Sequence, residues 1–236
     1  MSATTDLATA REWIGERFAP GGPAEFFLSP TRFVSCERTP DSWSMTLSGE
    51  QCYGLGFGPA PPINPEWTRC SIDESRLGER VGQLVARDAW DFYSLDTSTP
   101  RAGSKPPVVV ETVSDDAAIE RILRAHAPHS QVWPGNAEVA NWYGVRGEAG
   151  QWASIAALVR WESGSYVLAS IATVVDLRGR GYVRQLLRGV VDDARRRHIS
   201  WLGLGVAHDN AAAKRSYERV GFELRANFTS YARLND

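Results

Sequence analysis

Residues 171–181 read IATVVDLRGRG, from Ile171 to Gly181, and the rest of the chain falls into place around them. An apolar, β-branched strand ends, the chain turns through Gly179 and Gly181, and an amphipathic helix comes next. That helix is expected over Arg184–Arg197, with Leu186, Leu187, Val190, Val191 and Ala194 on its buried face. Glycines let a backbone come close to a ligand, and the first amides of a helix have no partner within it. Together these features suit a phosphate group. Arg178, Arg180, Arg184 and Arg188 crowd into the same region, and the first three add charge-assisted donors around the turn. A strand, a glycine turn and a helix also occur for packing alone, so the stretch by itself leaves both readings open.

Working towards the N-terminus, Tyr166–Val175 is a strand entered from a turn at Gly164. Ala140–Val145 and Trp152–Trp161 are two more, joined at Gly147–Gly150. A loop at His129–Glu138 precedes them. Before it runs a helix capped by Ser114, with Asp115 and Asp116 in its first turn and Ile119, Ile122 and Leu123 on its apolar side. Val108–Val113 is a short β-branched strand. Towards the C-terminus come a strand at Trp201–Val206 and a helix at Ala211–Val220, capped by Asp209 or Asn210 and stopped by Gly221. Phe222–Leu234 supplies one or two last strands.

Asp96–Pro107, DTSTPRAGSKPP, has linker chemistry and no apolar period. It sets the expected boundary between an N-terminal α+β region, 1–106, and a C-terminal domain, 107–236. The first part opens with a helix at Leu7–Phe18. Extended segments come next at Phe26–Cys36, Trp43–Leu47 and Gln51–Phe57, then a proline loop at Gly58–Pro65. A helix is expected over Asp73–Tyr93, because Leu77, Val81, Leu84, Val85, Ala89 and Phe92 share one helical face. The glycines of Gly54–Gly58 lead into prolines rather than a helix and fail the context test for a nucleotide loop.

The 236 residues carry 26 basic and 28 acidic side chains, a net charge of −2. Residues 1–106 hold a net −4 and residues 107–236 a net +2. No basic excess points to nucleic acid. No apolar run reaches the roughly 18–20 residues that cross a bilayer, and Met1–Ala10 does not read as a signal peptide. Three scattered cysteines, Cys36, Cys52 and Cys70, suit free thiols in a reducing cytoplasm. With no Cys-x-x-Cys pair and four scattered histidines, no metal site is expected.

A second stretch, Gly203–Phe222, reads GLGVAHDNAAAKRSYERVGF. Asn210 stands at a strand-to-helix junction, and Tyr217 lies two helical turns on, on the same side of that helix. By itself Tyr217 reads as a core ring. The two stretches together resemble the GNAT superfamily of acyl-CoA-dependent N-acyltransferases. Its pyrophosphate loop, Arg/Gln-x-x-Gly-x-Gly/Ala, aligns with Arg178-Gly179-Arg180-Gly181-Tyr182-Val183. Its downstream pattern is met by Asn210, Ala213, Tyr217, Gly221 and Phe222. The resemblance covers about Val108–Leu234, and residues 1–106 share no such motif.

The resemblance implies a mixed α/β (α+β) fold with a central, mostly antiparallel sheet flanked by helices. It implies acetyl-CoA as co-substrate, no metal, and an amine of a small molecule or peptide as acceptor, attacking the thioester directly in a ternary complex. Backbone groups of Ile171, Ala172 and Thr173 would meet the pantetheine arm. Amides of Gly179, Arg180, Gly181, Tyr182, Val183 and Arg184 would hold the pyrophosphate, beside Arg178. Asn210 would bind the CoA arm or fix the junction, and Tyr217 would protonate the departing thiolate as general acid.

Two positions depart from the pattern. Val183 replaces Gly or Ala at the helix start, and Gly205 leaves empty the slot where some members carry a glutamate base. The base must then come from elsewhere: Glu111, Glu138, Glu162 or His208, of which His208, an imidazole between the strand and Asn210, is the first to test. An ordered water is the further option. Trp133 and Trp142 are candidates to line the acceptor pocket or to pack the core. The expected enzyme is cytoplasmic, monomeric or homodimeric. Its alternatives are a non-catalytic acyl-CoA-binding or interaction module, and a tandem enzyme whose N-terminal region is a degenerate lobe of the same fold.

Overall fold

Asp6 accepts the Thr9 amide at 2.8 Å and so starts the first helix close to where the sequence places it. The computed structural model describes residues 1–73, 78–99 and 108–234. It divides into two compact units. The first holds Met1–Tyr93, Val206–Asn210 and Leu224–Asp236, and the second Ser94–Gly205 and Ala211–Glu223.

In chain order the first unit begins with β1 (Ser2–Thr4), α1 (Leu7–Arg17), α2 (Pro23–Phe27), β2 (Phe33–Arg38), β3 (Trp43–Leu47) and β4 (Tyr53–Phe57). It continues with β5 (Arg69–Asp73), β6 (Arg80–Val81) and β7 (Leu84–Asp96). Next come β8 (Glu111–Thr112), α3 (Asp116–His126), β9 (Val139–Arg146), β10 (Trp152–Arg160) and β11 (Tyr166–Thr173). The chain then forms α4 (Tyr182–Arg196), β12 (Trp201–Ala207) and α5 (Ala211–Val220), and returns to the first unit as β13 (Glu223–Ala232). Each unit is built on a mostly antiparallel sheet. The first runs β1-β2-β3-β4-β5-β13-β7 and the second β12-β11-β10-β9-β8. The expected mixed α/β class, with helices beside a largely antiparallel sheet, is the observed one.

The two units repeat one order of elements: a short edge strand, a helix, then three antiparallel strands, then a crossover to a parallel neighbour. β4 pairs parallel with β5, and β11 with β12. A parallel return needs a connection of about a dozen residues, usually a helix. The second unit uses α4. The first uses the proline-bearing loop 58–68, which contains no helix. Where the second unit has a helix N-terminus, the first therefore has none.

Loop 58–68 packs back on its own strand. Trp67 lies over Gly54 and donates its indole N–H to Thr46 Oγ1 at 2.9 Å. A Cβ on Gly54 would fall 2.1 Å from the Trp67 ring. Gly54 is thus the seat of a buried ring, and Gly56 lies against Pro61 and Ile72, so these glycines serve packing rather than a ligand loop. Gly54→Ala is expected to cost about 1–3 kcal/mol through overpacking, since the hydrogen-bonded indole has no room to slide. A urea midpoint equal to wild type would show that the ring relocates freely.

Three local expectations are corrected. No helix spans 73–93: β5 ends at Asp73, residues 74–77 (Leu77 among them) lie outside the described residues, and β6 and β7 form a hairpin with Val81 opposite Leu84. Asp91 to Leu95 is buried on both faces, a continuous run that periodicity does not separate from a helix. Only Glu111 and Thr112 of the Val108–Val113 run pair as a strand. Val108–Val110 instead crosses α4 at Gly189, where a Cβ would lie 2.3 Å from Val110, and Val108 N donates to Asp192 Oδ2 at 3.1 Å. The cap of α3 is Asp115, accepting the Ala118 amide at 2.9 Å, rather than Ser114. Of the linker, Asp96 holds Ser98 through its carboxylate, and residues 100–107 lie outside the described residues.

Candidate functional site

β11 breaks its own regularity just where ligand contacts were expected. Its parallel pairing with β12 covers Tyr166, Val167 and Leu168 only. Ser170 then adopts φ 49, a left-handed value that is uncommon for a non-glycine residue, and its hydroxyl donates to Val132 O at 2.6 Å. Opposite β10 the register slips at the same place. A bulge of this kind bends a strand and re-aims the residues beyond it. Past the bulge β11 stays on β10: Val174 N donates to Ala153 O at 3.0 Å and Ser154 Oγ to Ala172 O at 2.9 Å. Ala172 therefore faces β10, and by strand alternation the main-chain groups of Ile171 and Thr173 face the other edge.

The chain then passes a single 3₁₀ turn, Val175–Leu177, into the glycine loop. Gly179 and Gly181 hold φ 78 and 86, the left-handed region where a side chain is strained. Gly181 is the N-cap of α4 and supplies no side-chain cap. The first helical bond is made only by Gln185 N, to Gly181 O at 3.0 Å. Nothing lies within 4 Å of a Cβ placed on Gly179, so the surface of the loop is open to a bulky group. Arg180 and Arg184 are exposed beside it. Arg178 is placed differently from its neighbours. Its guanidinium donates to Thr173 O at 3.3 Å and His126 O at 2.9 Å, so it ties the loop to the end of α3. Tyr182 and Val183 are half-buried, and the valine side chain leaves its own amide in the first turn.

Tyr217 lies in the last turns of α5. It is 6% exposed and packs edge-on against Phe222, with ring centroids 6.3 Å apart. Its carbonyl accepts from Gly221 and Phe222, which ends the helix where the sequence expects. Burial pushes the phenol up from its ordinary value near 10 to about 12. Asn210, exposed, directly precedes α5, with its amide on Ala207 O at 3.0 Å.

His208 belongs to the first unit and is held there at two points. Its amide donates to Ala89 O at 2.9 Å, and its Nδ1 lies 2.8 Å from Asp91 Oδ1. Asp91 is 1% exposed, whereas the His208 side chain is 58% exposed. Asn227 Nδ2 donates to the same Oδ1 at 2.8 Å. The sequence does not single out Asp91 and Asn227, because Asp91 falls inside the helix expected over 73–93. An acid inside the aromatic run Trp90–Tyr93, between turn glycines and a linker, is the available clue.

The other candidates are placed as follows. Glu111 pairs with Arg146 at 3.0 Å, and Glu138 and Glu162 are exposed. Gly205 is exposed and brings no side chain. Trp142 is core, at 6% exposure. Trp133 donates to Ser130 O at 2.7 Å beneath Arg124, an arrangement that folds its loop onto α3. Among the described residues no group of three or more His, Cys, Asp or Glu side chains is placed to hold a metal ion, and no helix is long and apolar enough to cross a membrane.

Comparison with known proteins bears on the family and the fold. The family described as Acetyltransferase (GNAT) matches residues 107–222. No curated protein sequence matches the chain. A GCN5-related N-acetyltransferase from Kribbella flavida is similar in structure, with TM-score 0.54 and 14% identity over 97% of this chain and 94% of that one. A GNAT-family acetyltransferase from Colwellia psychrerythraea gives TM-score 0.53 and 9% identity, covering 98% and 99%. A GCN5-related N-acetyltransferase-like protein from Streptococcus suis gives TM-score 0.51 and 13% identity, covering 96% and 99%. At these identities the likeness is one of fold, and it extends over nearly the whole of each chain. The motif residues, the bulged strand and the family match converge: residues 107–222 of this chain are a domain of the GNAT acetyltransferase family.

Proposed function

We propose that the protein is an N-acetyltransferase that passes the acetyl group of acetyl-CoA to an amine of a small molecule or peptide, by direct attack in a ternary complex. The observation that carries this reading is the left-handed, uncapped Gly181 at the start of α4, which leaves amides facing outward next to a strand edge that has shed its partner. Gly179 to Arg184 hold the pyrophosphate, with Arg180 and Arg184 as charged donors and Arg178 bracing the loop. Ile171 and Thr173 offer main-chain groups to the pantetheine arm, and Asn210 fixes the junction into α5. Ala172 supports them from the β10 side.

Holding amine and thioester together supplies most of the rate, and proton transfers supply the rest. Tyr217 donates to the departing sulfur, and His208 takes the proton of the attacking amine. The acyltransferase domain is residues 107–236. Residues 1–106 are an N-terminal α+β region without a phosphate loop, whose order of elements suits a degenerate lobe of the same fold. The enzyme is cytoplasmic, a monomer or homodimer.

Calorimetric titration of the full chain with acetyl-CoA and with CoA tests the reading. Thiol release is then monitored with spermidine, tryptamine and trialanine as amine probes. Micromolar binding and amine-dependent release are expected. Binding without release on any amine would favour a non-catalytic acyl-CoA-binding module, a role compatible with the empty side-chain position at Gly205.

A further inference from the structure

We infer that Ser170 is a positioning residue: its hydroxyl holds the bulge of β11 in the shape that aims the Ile171 amide at the thioester carbonyl. The inference rests on the acyl-transfer reading above and concerns the second unit alone. Where β10 passes from Ala157 to Ile155, β11 passes from Ala169 to Ala172, so β11 holds an extra residue there. A bulge of this kind can place a residue in the left-handed region, a position that favours glycine. Here the residue is a serine, at φ 49. A left-handed side-chain-bearing residue persists only where its surroundings hold it, and such residues gather at working sites. What holds Ser170 is its own side chain, whose hydroxyl donates to Val132 O at 2.6 Å. Glycine would reach the same φ without strain but would give up that tie.

Val132 belongs to a braced segment. Ser130 N donates to Ala127 O at 3.0 Å and Trp133 Nε1 to Ser130 O at 2.7 Å, while the Arg124 guanidinium lies 5.3 Å from the centre of the Trp133 ring. The same segment takes a second tie, from Arg178 Nη2 to His126 O at 2.9 Å. The chain from Ser170 to Arg178 is therefore fastened at both ends to the connection between α3 and β9. Within it, Ala172 O and Val174 N are committed to β10, and Arg178 Nε takes Thr173 O at 3.3 Å. The ladder to β12 has already ended at Leu168. By strand alternation Ile171 is the first residue past the bulge whose amide turns to that open edge. Charge gathers on the thioester oxygen as the amine bonds to the carbonyl carbon. A fixed N–H beside that oxygen binds the transition state more tightly than the ground state. Ser170 touches no reacting atom and acts through Ile171.

The test uses the full chain with Ser170→Ala and Ser170→Gly, and acetyl-CoA labelled with heavy carbon at the acetyl carbonyl. Isotope-edited infrared difference spectra read the carbonyl stretch of the bound thioester, which a hydrogen bond lowers. In wild type the bound band is expected below that of free acetyl-CoA. Ser170→Ala keeps the strain and removes the tie, so its band is expected to move back towards the free value. With the amine probe that supports release, its kcat is expected to fall about tenfold to a hundredfold, the effect of a misplaced donor. Calorimetric affinity for CoA, which lacks the thioester carbonyl, should not change and also reports folding. Ser170→Gly should lie between Ser170→Ala and wild type in band and in kcat, because glycine adopts the left-handed bulge without strain. A wild-type band no lower than the free one overturns the inference, whatever the variants do. A wild-type band and kcat in Ser170→Ala, with only the melting temperature lowered, mark a structural role and overturn it too. Ser170→Gly as slow as Ser170→Ala does the same, since the hydroxyl would then act other than through the backbone. Acetyl-CoA binding with no transfer to any probe overturns the acyl-transfer reading and this inference with it, whereas transfer with an unshifted wild-type band overturns the inference alone.

Discussion

Gly181→Trp is expected to weaken acetyl-CoA binding by at least about a hundredfold while leaving the second unit folded. The backbone at Gly181 has φ 86, which costs an L residue about 1–2 kcal/mol. The space is not the obstacle: only Arg184 Nη2, at 3.5 Å, lies near a Cβ there. The indole would instead stand over the outward amides of the first turn of α4. Charge-assisted hydrogen bonds contribute about 1.5–3 kcal/mol each, so displacing two of them removes about 3–6 kcal/mol of binding, and 1.4 kcal/mol is tenfold. Gly164→Trp is the matched control. Gly164 has φ 88 with nothing within 4 Å of its Cβ, and sits in the β10–β11 turn. It carries the same backbone cost without covering the loop, so its affinity should equal wild type. Equal weakening in both variants would mean that strain, not obstruction, is being measured, and the phosphate assignment would fall.

That loop could be read from sequence because its physics is local. Glycine, an uncapped helix start and an amphipathic face all lie within about twenty residues, and the helix-ending Gly221-Phe222 pair is equally self-contained. The splay of β11 from β12 is not local. It depends on the Ser170 bulge, and nothing in the residues of β11 announces a left-handed serine bonded to Val132. Arg178 was readable as a donor but not as one committed to His126 O, because its partner comes from α3, fifty-two positions away. β7 was lost for a third reason. A strand buried on both faces over Asp91 to Leu95 presents no alternation, and the apolar spacing upstream fits a helix equally well. With β7 went Asp91, so His208 stood in the sequence as a loop histidine when its defining partner lay 117 positions earlier.

Tyr217→Phe is expected to lower kcat about a hundredfold, with affinity for acetyl-CoA unchanged. The substitution keeps the ring that packs against Phe222 and removes only the hydroxyl. The size of the effect depends on how acidic the phenol is. Burial holds Tyr217 at about 12, whereas an ordinary thiol titrates near about 8.5. The phenol is then the weaker acid, and full transfer to a free thiolate would run uphill. What the buried hydroxyl offers is a fixed donor to the sulfur as charge develops on it. Loss of one such donor costs about a hundredfold to a thousandfold in comparable sites. The sign of the pKa shift fixes the pH behaviour. A folded value above the unfolded one means that the neutral phenol is retained, and its contribution is lost only as pH climbs from about 10 towards about 12. Between about pH 6 and about pH 9 the variant should therefore run parallel to wild type, displaced downward without a change of shape. Full kcat in Tyr217→Phe, under conditions where bond exchange rather than product release limits turnover, would remove Tyr217 from the chemistry and return it to the core. A profile whose upper limb moves instead would mean that the phenol ionises in the working range, against the burial seen at the end of α5.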